Sequence, residues 1–271
     1  MNYQIKSYPD GGKYVVINEP FEELVYRINS YEDLFLLKSL KDANPNLKRI
    51  TIPCMFQQQH DRRFSSNESF ELKLVCDFIN SCNFERVSIF HPHSDVTPAL
   101  INNCEVISNN KFIAEVILSL YPTAIDAEKS CVLMSTDAGG FKPLMKLCND
   151  INWQGETYSA SKSRQYINGE SILTQVVDKQ DFEGKDVLII DDICVYGGTF
   201  IGLANLLKQR NVGKLYLAVS HLTIKKPSYL LESGFEQIFT TNSKGFQYLN
   251  VDENTPQNLT TINLFNDLCF I

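Results

Sequence analysis

The amino-acid sequence predicts an α/β protein of two similar lobes, each a mainly parallel sheet flanked by helices. Three observations carry that expectation. Short apolar runs of strand length show little polar alternation, as strands covered on both faces do. Stretches with helical apolar spacing lie between them, and strand alternating with helix is the α/β signature. A buried strand running into a polar cluster occurs twice, as NFERVSIFHPHSD and again as EGKDVLIIDDICVYGG. Ligands of open α/β sheets sit beyond the carboxyl ends of such strands, so two of them predict two lobes with a cleft.

In chain order, Tyr8–Gly12 (YPDGG) is a turn and Lys48–Pro53 (KRITIP) a strand. Ser69–Ser81 is expected to be a helix with Phe70, Leu74, Phe78 and Ile79 along one stripe, followed by strand Val87–Phe90. Tyr121–Glu128 (YPTAIDAE) carries a proline and breaks the apolar period, which marks a lobe boundary. Strand Val132–Ser135, helix Phe141–Asp150, strand Val187–Asp191, helix Phe200–Gln209 and strands Leu215–Ser220 and Gln237–Thr241 complete the alternation. Asp252–Asn258 is a loop before a last strand, Leu259–Leu264. The expected lobes are residues 1–122, completed by a tail of 255–271, and residues 123–254.

A length of 271 residues with 44% apolar and 21% charged residues excludes disordered, collagen-like and disulfide-scaffold classes. A net charge of −7 makes nucleic acid and anionic membranes poor partners. No window approaches the ~18 to 20 consecutive apolar residues of a membrane helix. The start MNYQIKSYPDGG lacks the apolar core of a signal peptide, so a cytoplasmic location is expected. Eight cysteines without a CxxC pair read as buried thiols rather than a zinc site.

The segment with the most chemistry in it is Val187–Phe200, VLIIDDICVYGGTF. A buried strand delivers Asp191 and Asp192 to its carboxyl end, and a loop holding Val195, Tyr196, Gly197 and Gly198 enters a helix at Thr199. Glycines let backbone N–H groups close around an anion, and the helix terminus adds its dipole. Carboxylates accept hydrogen bonds from vicinal hydroxyls. Together these suit a sugar phosphate. The lysine of a P-loop is missing, which excludes a Walker A site.

This element resembles that of the ribose-phosphate pyrophosphokinase (phosphoribosyl pyrophosphate synthetase) family, and phosphoribosyltransferases carry a similar one. Other segments resemble the first family in order along the chain. QHDRR at Gln59–Arg63 is similar to its nucleotide-binding segment, HPHSD from His91 to its strand end, STDAGG from Ser135 to its Pro-Asp-x-Gly-Gly turn, and YPDGG to its Phe-x-Asp-Gly-Glu turn. SKSR at Ser161–Arg164 resembles the Lys-x-Arg that opens its mobile catalytic loop, while Val219–His221 and Thr240–Asn242 also recur in place.

The resemblance implies phosphoribosyltransferase-like lobes and transfer of pyrophosphate from MgATP to the anomeric hydroxyl of a ribose 5-phosphate, releasing AMP. It implies Lys162, Arg164 and His93 as catalytic residues. Asp191 and Asp192 would hold the ribose hydroxyls, and the Val195–Thr199 loop its phosphate. Tyr8, Asp10, Gln59, His60, Asp61 and Arg62 would serve ATP. Magnesium would be held by His93 and Asp137, with His91 a further candidate. Homo-oligomers are usual, with Tyr8 and Asp10 reaching a neighbour's adenine.

Several positions depart from the pattern. Gln59 stands for arginine, His60 for glutamine, His91 for aspartate and Gly12 for glutamate, and the family's first strand and helix are missing or very short. Val195 and Tyr196 replace Asp-Thr in the phosphate loop, giving up a hydroxyl and a carboxylate and gaining an aromatic surface. That exchange points to a larger acceptor such as ADP-ribose, unless Tyr196 packs on the next helix. Two other readings remain at this point. One is a phosphoribosyltransferase that consumes phosphoribosyl pyrophosphate, which leaves HPHSD, STDAGG and SKSR unexplained. The other is a catalytically silent regulatory member, motivated by the substitutions but opposed by the retained Lys162, Arg164, His93 and both aspartates.

Overall fold

The computed structural model describes residues 2–167, 170–245 and 258–265, with the backbone alone for 163–167 and 170–174. They form two compact units, one running to Ser108 and taking up Leu264 and Phe265, the other lying between Asn109 and Asn263. This division falls ahead of the helix that precedes the composition break at Tyr121–Glu128.

The first unit opens with a hairpin, β1 (Tyr3–Ser7) paired antiparallel with β2 (Lys13–Ile17), closed by the YPDGG turn. Gly11 takes φ +90°, and Asp10 Oδ1 accepts the Gly12 N–H at 2.9 Å. The residues ahead of that turn thus form a five-residue strand. There follow β3 (Glu23–Val25), α1 (Tyr31–Ala43), β4 (Arg49–Ile52), α2 (Glu71–Asn80), β5 (Arg86–Phe90), α3 (Val96–Leu100) and β6 (Cys104–Ile107). Strands β3-β4-β5-β6 make a four-stranded parallel sheet in that order. Ser30 and Asp33 form a reciprocal capping box at the start of α1, whose Leu34, Leu37 and Leu40 are buried.

Helix α2 forms where the sequence predicts one, but its inner stripe differs. Leu72, Val75, Cys76 and Ile79 are buried, whereas Leu74 is exposed and Phe70 and Phe78 only edge the core. Spacings of three and four residues from Leu72 define that face, and Leu74 falls off it.

The second unit contains α4 (Asn110–Leu120), α5 (Ala124–Ser130), β7 (Cys131–Ser135), α6 (Ala138–Asp150), β8 (Thr157–Ser159), β9 (Ser161–Ile167), β10 (Glu170–Val176) and β11 (Asp186–Cys194). After them come α7 (Gly198–Leu207), β12 (Leu215–Leu222), α8 (Ser228–Glu232), β13 (Phe235–Thr241) and β14 (Leu259–Ile262). Its six-stranded sheet is parallel throughout, in the order β14-β13-β12-β11-β7-β8. All eight residues of β12 are buried, as a central parallel strand requires. Helix α4 packs against β12, and α6 against β7 and β8. The core of this unit runs through Val132, Met134, Val187, Ile189, Leu203, Leu217 and Val219. Trp153, the chain's only tryptophan, is buried here and lies across Gly155, where a Cβ would meet its ring at 2.6 Å.

SKSR, expected to open a loop, is the start of β9, which pairs antiparallel with β10 as a separate two-stranded ribbon. Its polar, basic sequence hides the period of this strand. Among the described residues no helix is long and apolar enough to cross a membrane, and the cysteines are unbridged.

Candidate active site

In the second unit the sequence-predicted site is assembled by β7, β9, β11 and the start of α7. Val187–Ile190 are buried between neighbours on both sides, and this holds β11 straight through the two aspartates. Asp191 lies level with Val219 on β12, and Ile190 with Ser135 on β7, which sets the next residue of each strand, Asp191 and Thr136, side by side. The Thr136 hydroxyl donates to Asp191 Oδ2 at 2.7 Å, and the Asp192 N–H donates to Oδ1 at 2.9 Å. Burial, then the charge of Asp192 and a hydrogen bond with its side chain, push the Asp191 carboxyl well above the usual range. The two donors pull it back only in part.

Beyond Cys194 the chain turns at Gly197 and enters α7. Gly197 takes φ +81°, and a Cβ there would press on Ile224 Cδ1 at 3.0 Å and Leu230 Cδ2 at 3.1 Å. Both facts demand glycine. Gly198 is different: its Cβ would meet nothing within 4 Å. The first helical N–H groups of α7 have no intrahelical partner and, with the dipole, suit an anion. Val195 and Thr199 are half-buried, and Tyr196 is 90% exposed. Tyr196 therefore does not pack on α7.

Asp137 caps α6, its Oδ1 accepting the Gly140 N–H at 2.9 Å, while its Oδ2 pairs with the Lys162 ammonium. Burial works against its charge, but Lys162 and the Gly140 N–H prevail and hold the carboxyl below its ordinary range. Lys162 faces Gln175 across the ribbon, and Arg164 pairs with Leu173 through the backbone. The Arg164 side chain lies outside the described residues.

The first unit holds the remaining candidates. His60 is committed to structure: its Nδ1 accepts the Glu71 N–H at 3.3 Å, serving the first turn of α2, whose own N-cap side chain makes no bond. Gln59 is exposed, Asp61 half-buried, and Arg62 lies 5.2 Å from the Phe64 ring. His91 has φ +38° and donates its N–H to Ile107 at 2.9 Å. His93 is exposed, and its N–H donates to Gln58 Oε1 at 3.1 Å. Tyr8 is exposed and stacked on Tyr14 with ring centres 5.0 Å apart.

Sequence reasoning missed two residues. Thr136 is 2% exposed and serves Asp191, while buried Gln58 ties the QHDRR segment to the HPHSD turn. Nothing local distinguishes either, because both bonds join segments distant in sequence. The expected magnesium ligands His93, His91 and Asp137 belong to different units, and among the described residues no three His, Cys, Asp or Glu gather as a protein cage. Magnesium asks for no such cage, since it keeps waters and phosphate oxygens beside one or two carboxylates. Asp137 fits that role, because its outer oxygen already holds a cation, the Lys162 ammonium.

Residues 102–253 match the family model described as Phosphoribosyl transferase domain. The ribose-phosphate pyrophosphokinase of Pyrococcus abyssi is 25% identical over 82% of this chain and 76% of its own length. Ribose-phosphate pyrophosphokinase 2 of Archaeoglobus fulgidus is 25% identical over 94% of this chain and 89% of its own. The crystal structure of phosphoribosylpyrophosphate synthetase from Mycobacterium smegmatis shares the fold, with a TM-score of 0.77 over 96% of this chain and 85% of that one at 18% identity. The resemblance read from the motifs is borne out, as are the two lobes built on mainly parallel sheets.

Proposed function

The chain belongs to the phosphoribosyl transferase domain family, and we propose that it transfers pyrophosphate from MgATP to the anomeric hydroxyl of a ribose 5-phosphate moiety. One observation carries this reading: adjacent carboxylates at the end of β11 run directly into a glycine turn at the N-terminus of α7. The names of the relatives support it. In the reaction the C1 oxygen of the sugar attacks the β-phosphorus of ATP. The bond from that phosphorus to the oxygen shared with the α-phosphate breaks, AMP leaves with that oxygen, and the hydroxyl proton passes to solvent.

Asp191 and Asp192 accept from the ribose hydroxyls and orient the sugar. The N–H groups at Gly198 and Thr199 hold the 5-phosphate. Lys162, with Arg164 and His93, neutralises charge that moves between entering and leaving oxygens. Magnesium bound with ATP would withdraw charge from the phosphates, with Asp137, His93 and His91 as its proposed ligands. Tyr8, Asp10, Gln59, Asp61 and Arg62 are assigned to ATP, His60 only through the helix it steadies. The chain would act as a homo-oligomer in the cytoplasm and supply nucleotide or NAD synthesis.

The exposure of Tyr196 favours an acceptor that extends beyond the 5-phosphate, such as ADP-ribose, whose base it would stack on. The test offers MgATP with ribose 5-phosphate or with ADP-ribose and follows AMP release. Faster turnover with ADP-ribose supports the larger acceptor, and turnover with ribose 5-phosphate alone rejects it. No AMP with either overturns the whole reading.

A further inference from the structure

We propose that Thr136 is a positioning residue for Asp191, at the place where the turn of the pyrophosphokinase family carries a proline. The inference rests on the reading of Asp191 as a carboxylate that holds the acceptor. Thr136 follows the last residue of β7 and precedes the cap of α6, so both of its flanks are fixed by regular structure. Its side chain is buried, and its hydroxyl donates to Asp191 Oδ2 at 2.7 Å.

The geometry explains what the bond does. Thr136 occupies one acceptor position on Oδ2 and the Asp192 N–H one on Oδ1, so the plane of the carboxylate is fixed from both sides. An ionised carboxylate has about four acceptor positions; beyond Thr136 and the Asp192 N–H, what is left meets the Asp192 side chain, and it is there that a ribose hydroxyl would enter. Proline has no N–H and no donor on its side chain, so it could not make this bond. The hydrogen bond that Asp191 shares with the Asp192 side chain pulls its carboxyl toward a protonated pair, which spoils it as an acceptor for sugar. The Thr136 hydroxyl works against that pull, because it favours the charged form. It touches no substrate, and its effect is felt in acceptor affinity rather than in ATP binding.

The experiment compares Thr136→Val, which keeps the shape and deletes the hydroxyl, with Thr136→Ser, which keeps the hydroxyl and deletes the methyl. KM for the acceptor, KM for ATP, kcat and melting temperature are measured for each. Thr136→Val is expected to raise the acceptor KM by about 10- to 100-fold, the range for losing a hydrogen bond to a charged group. ATP KM should stay within about twofold, and Thr136→Ser should restore the acceptor KM to within about threefold of wild type. An acceptor KM unchanged in Thr136→Val overturns the inference, and so does equal impairment of both variants, which would mark a packing role. If Thr136→Val melts below the assay temperature, Thr136→Ala replaces it in the comparison. A wild-type protein that releases no AMP with either acceptor defeats the underlying reading instead, and this inference falls with it.

Discussion

The Lys162 ammonium is paired with Asp137, the same carboxylate whose other oxygen caps α6. The two residues carry different assignments, one as a phosphate clamp and the other as a magnesium ligand. A cation arriving at Asp137 with ATP would release Lys162 toward the phosphates, since both compete for one oxygen. Lys162→Ala is therefore expected to lower kcat by about 100- to 1,000-fold while leaving acceptor KM within about threefold, because its charge is needed mainly in the transition state. Steady-state kinetics decides this. A raised KM at unchanged kcat would assign Lys162 to ground-state binding.

Tyr196 is the residue on which the two proposed acceptors should differ. Being 90% exposed, it contributes little to folding, so Tyr196→Ala should leave the melting temperature within about 1 °C. Base stacking is worth roughly 1 to 3 kcal/mol, so KM for ADP-ribose should rise at least about fivefold while KM for ribose 5-phosphate stays put. Equal changes for both acceptors would remove the stacking role.

The two loop glycines should respond in opposite ways. Gly197→Ala meets a positive φ and two side chains closer than ordinary van der Waals contact, and should destabilise the fold by about 1 to 3 kcal/mol. Gly198→Ala meets open space, so the melting temperature should hold while acceptor affinity falls, because the new methyl enters the proposed anion site. Parallel melting curves and acceptor titrations read both effects.

Asp191 should cost the folded protein stability at neutral pH. Its carboxyl is raised by burial and by Asp192, so protonation stabilises the fold, and that contribution is lost as pH rises through the folded value. Asp191→Asn, neutral throughout, should raise the melting temperature by about 2 to 4 °C near pH 8. Near pH 4, close to the ordinary aspartate value of about 4, it should change little. The same variant should weaken acceptor binding and spare ATP. A melting shift of equal size at both pH values would contradict the electrostatic origin.

Glu156 behaves in the opposite sense. Hydrogen bonds from Lys179, at 2.7 Å, and from Lys185 lower its carboxyl to about 2. Its stabilisation is present above the unfolded value of 4.5 and fades as pH falls toward about 2. Glu156→Gln should cost about 1 kcal/mol at neutral pH, as partly exposed pairs do. Denaturant titrations at pH 7 and pH 3 (about the middle of that window) should show the difference from wild type shrinking.

Much of this is legible in the sequence alone. Strands β7, β11 and β12 fall where nearly unbroken apolar runs lie, because burial on both faces removes alternation, and β4, β5 and β13 where shorter apolar runs with polar interruptions do. The paired aspartates and the glycine turn were legible for a local reason, since strand, carboxylates, turn and helix follow without interruption. Helix α1 was not read, although its Ser30–Asp33 capping box and Leu34, Leu37 and Leu40 at helical spacing stand in the sequence. The ribbon of β9 and β10 was hidden by its polarity. His60 as the support of α2, and Thr136 and Gln58 as partners of Asp191 and the His93 backbone, depend on register between distant segments, which no window contains.

Trp153 has a practical consequence for anyone following this protein in solution. As the chain's sole indole, enclosed in the second unit against Gly155, it makes intrinsic emission a reporter on that half. Loosening of the sheet that bears Asp191 should redden the spectrum, whereas melting confined to the hairpin and four-stranded half would pass unseen by fluorescence and register only in far-ultraviolet dichroism.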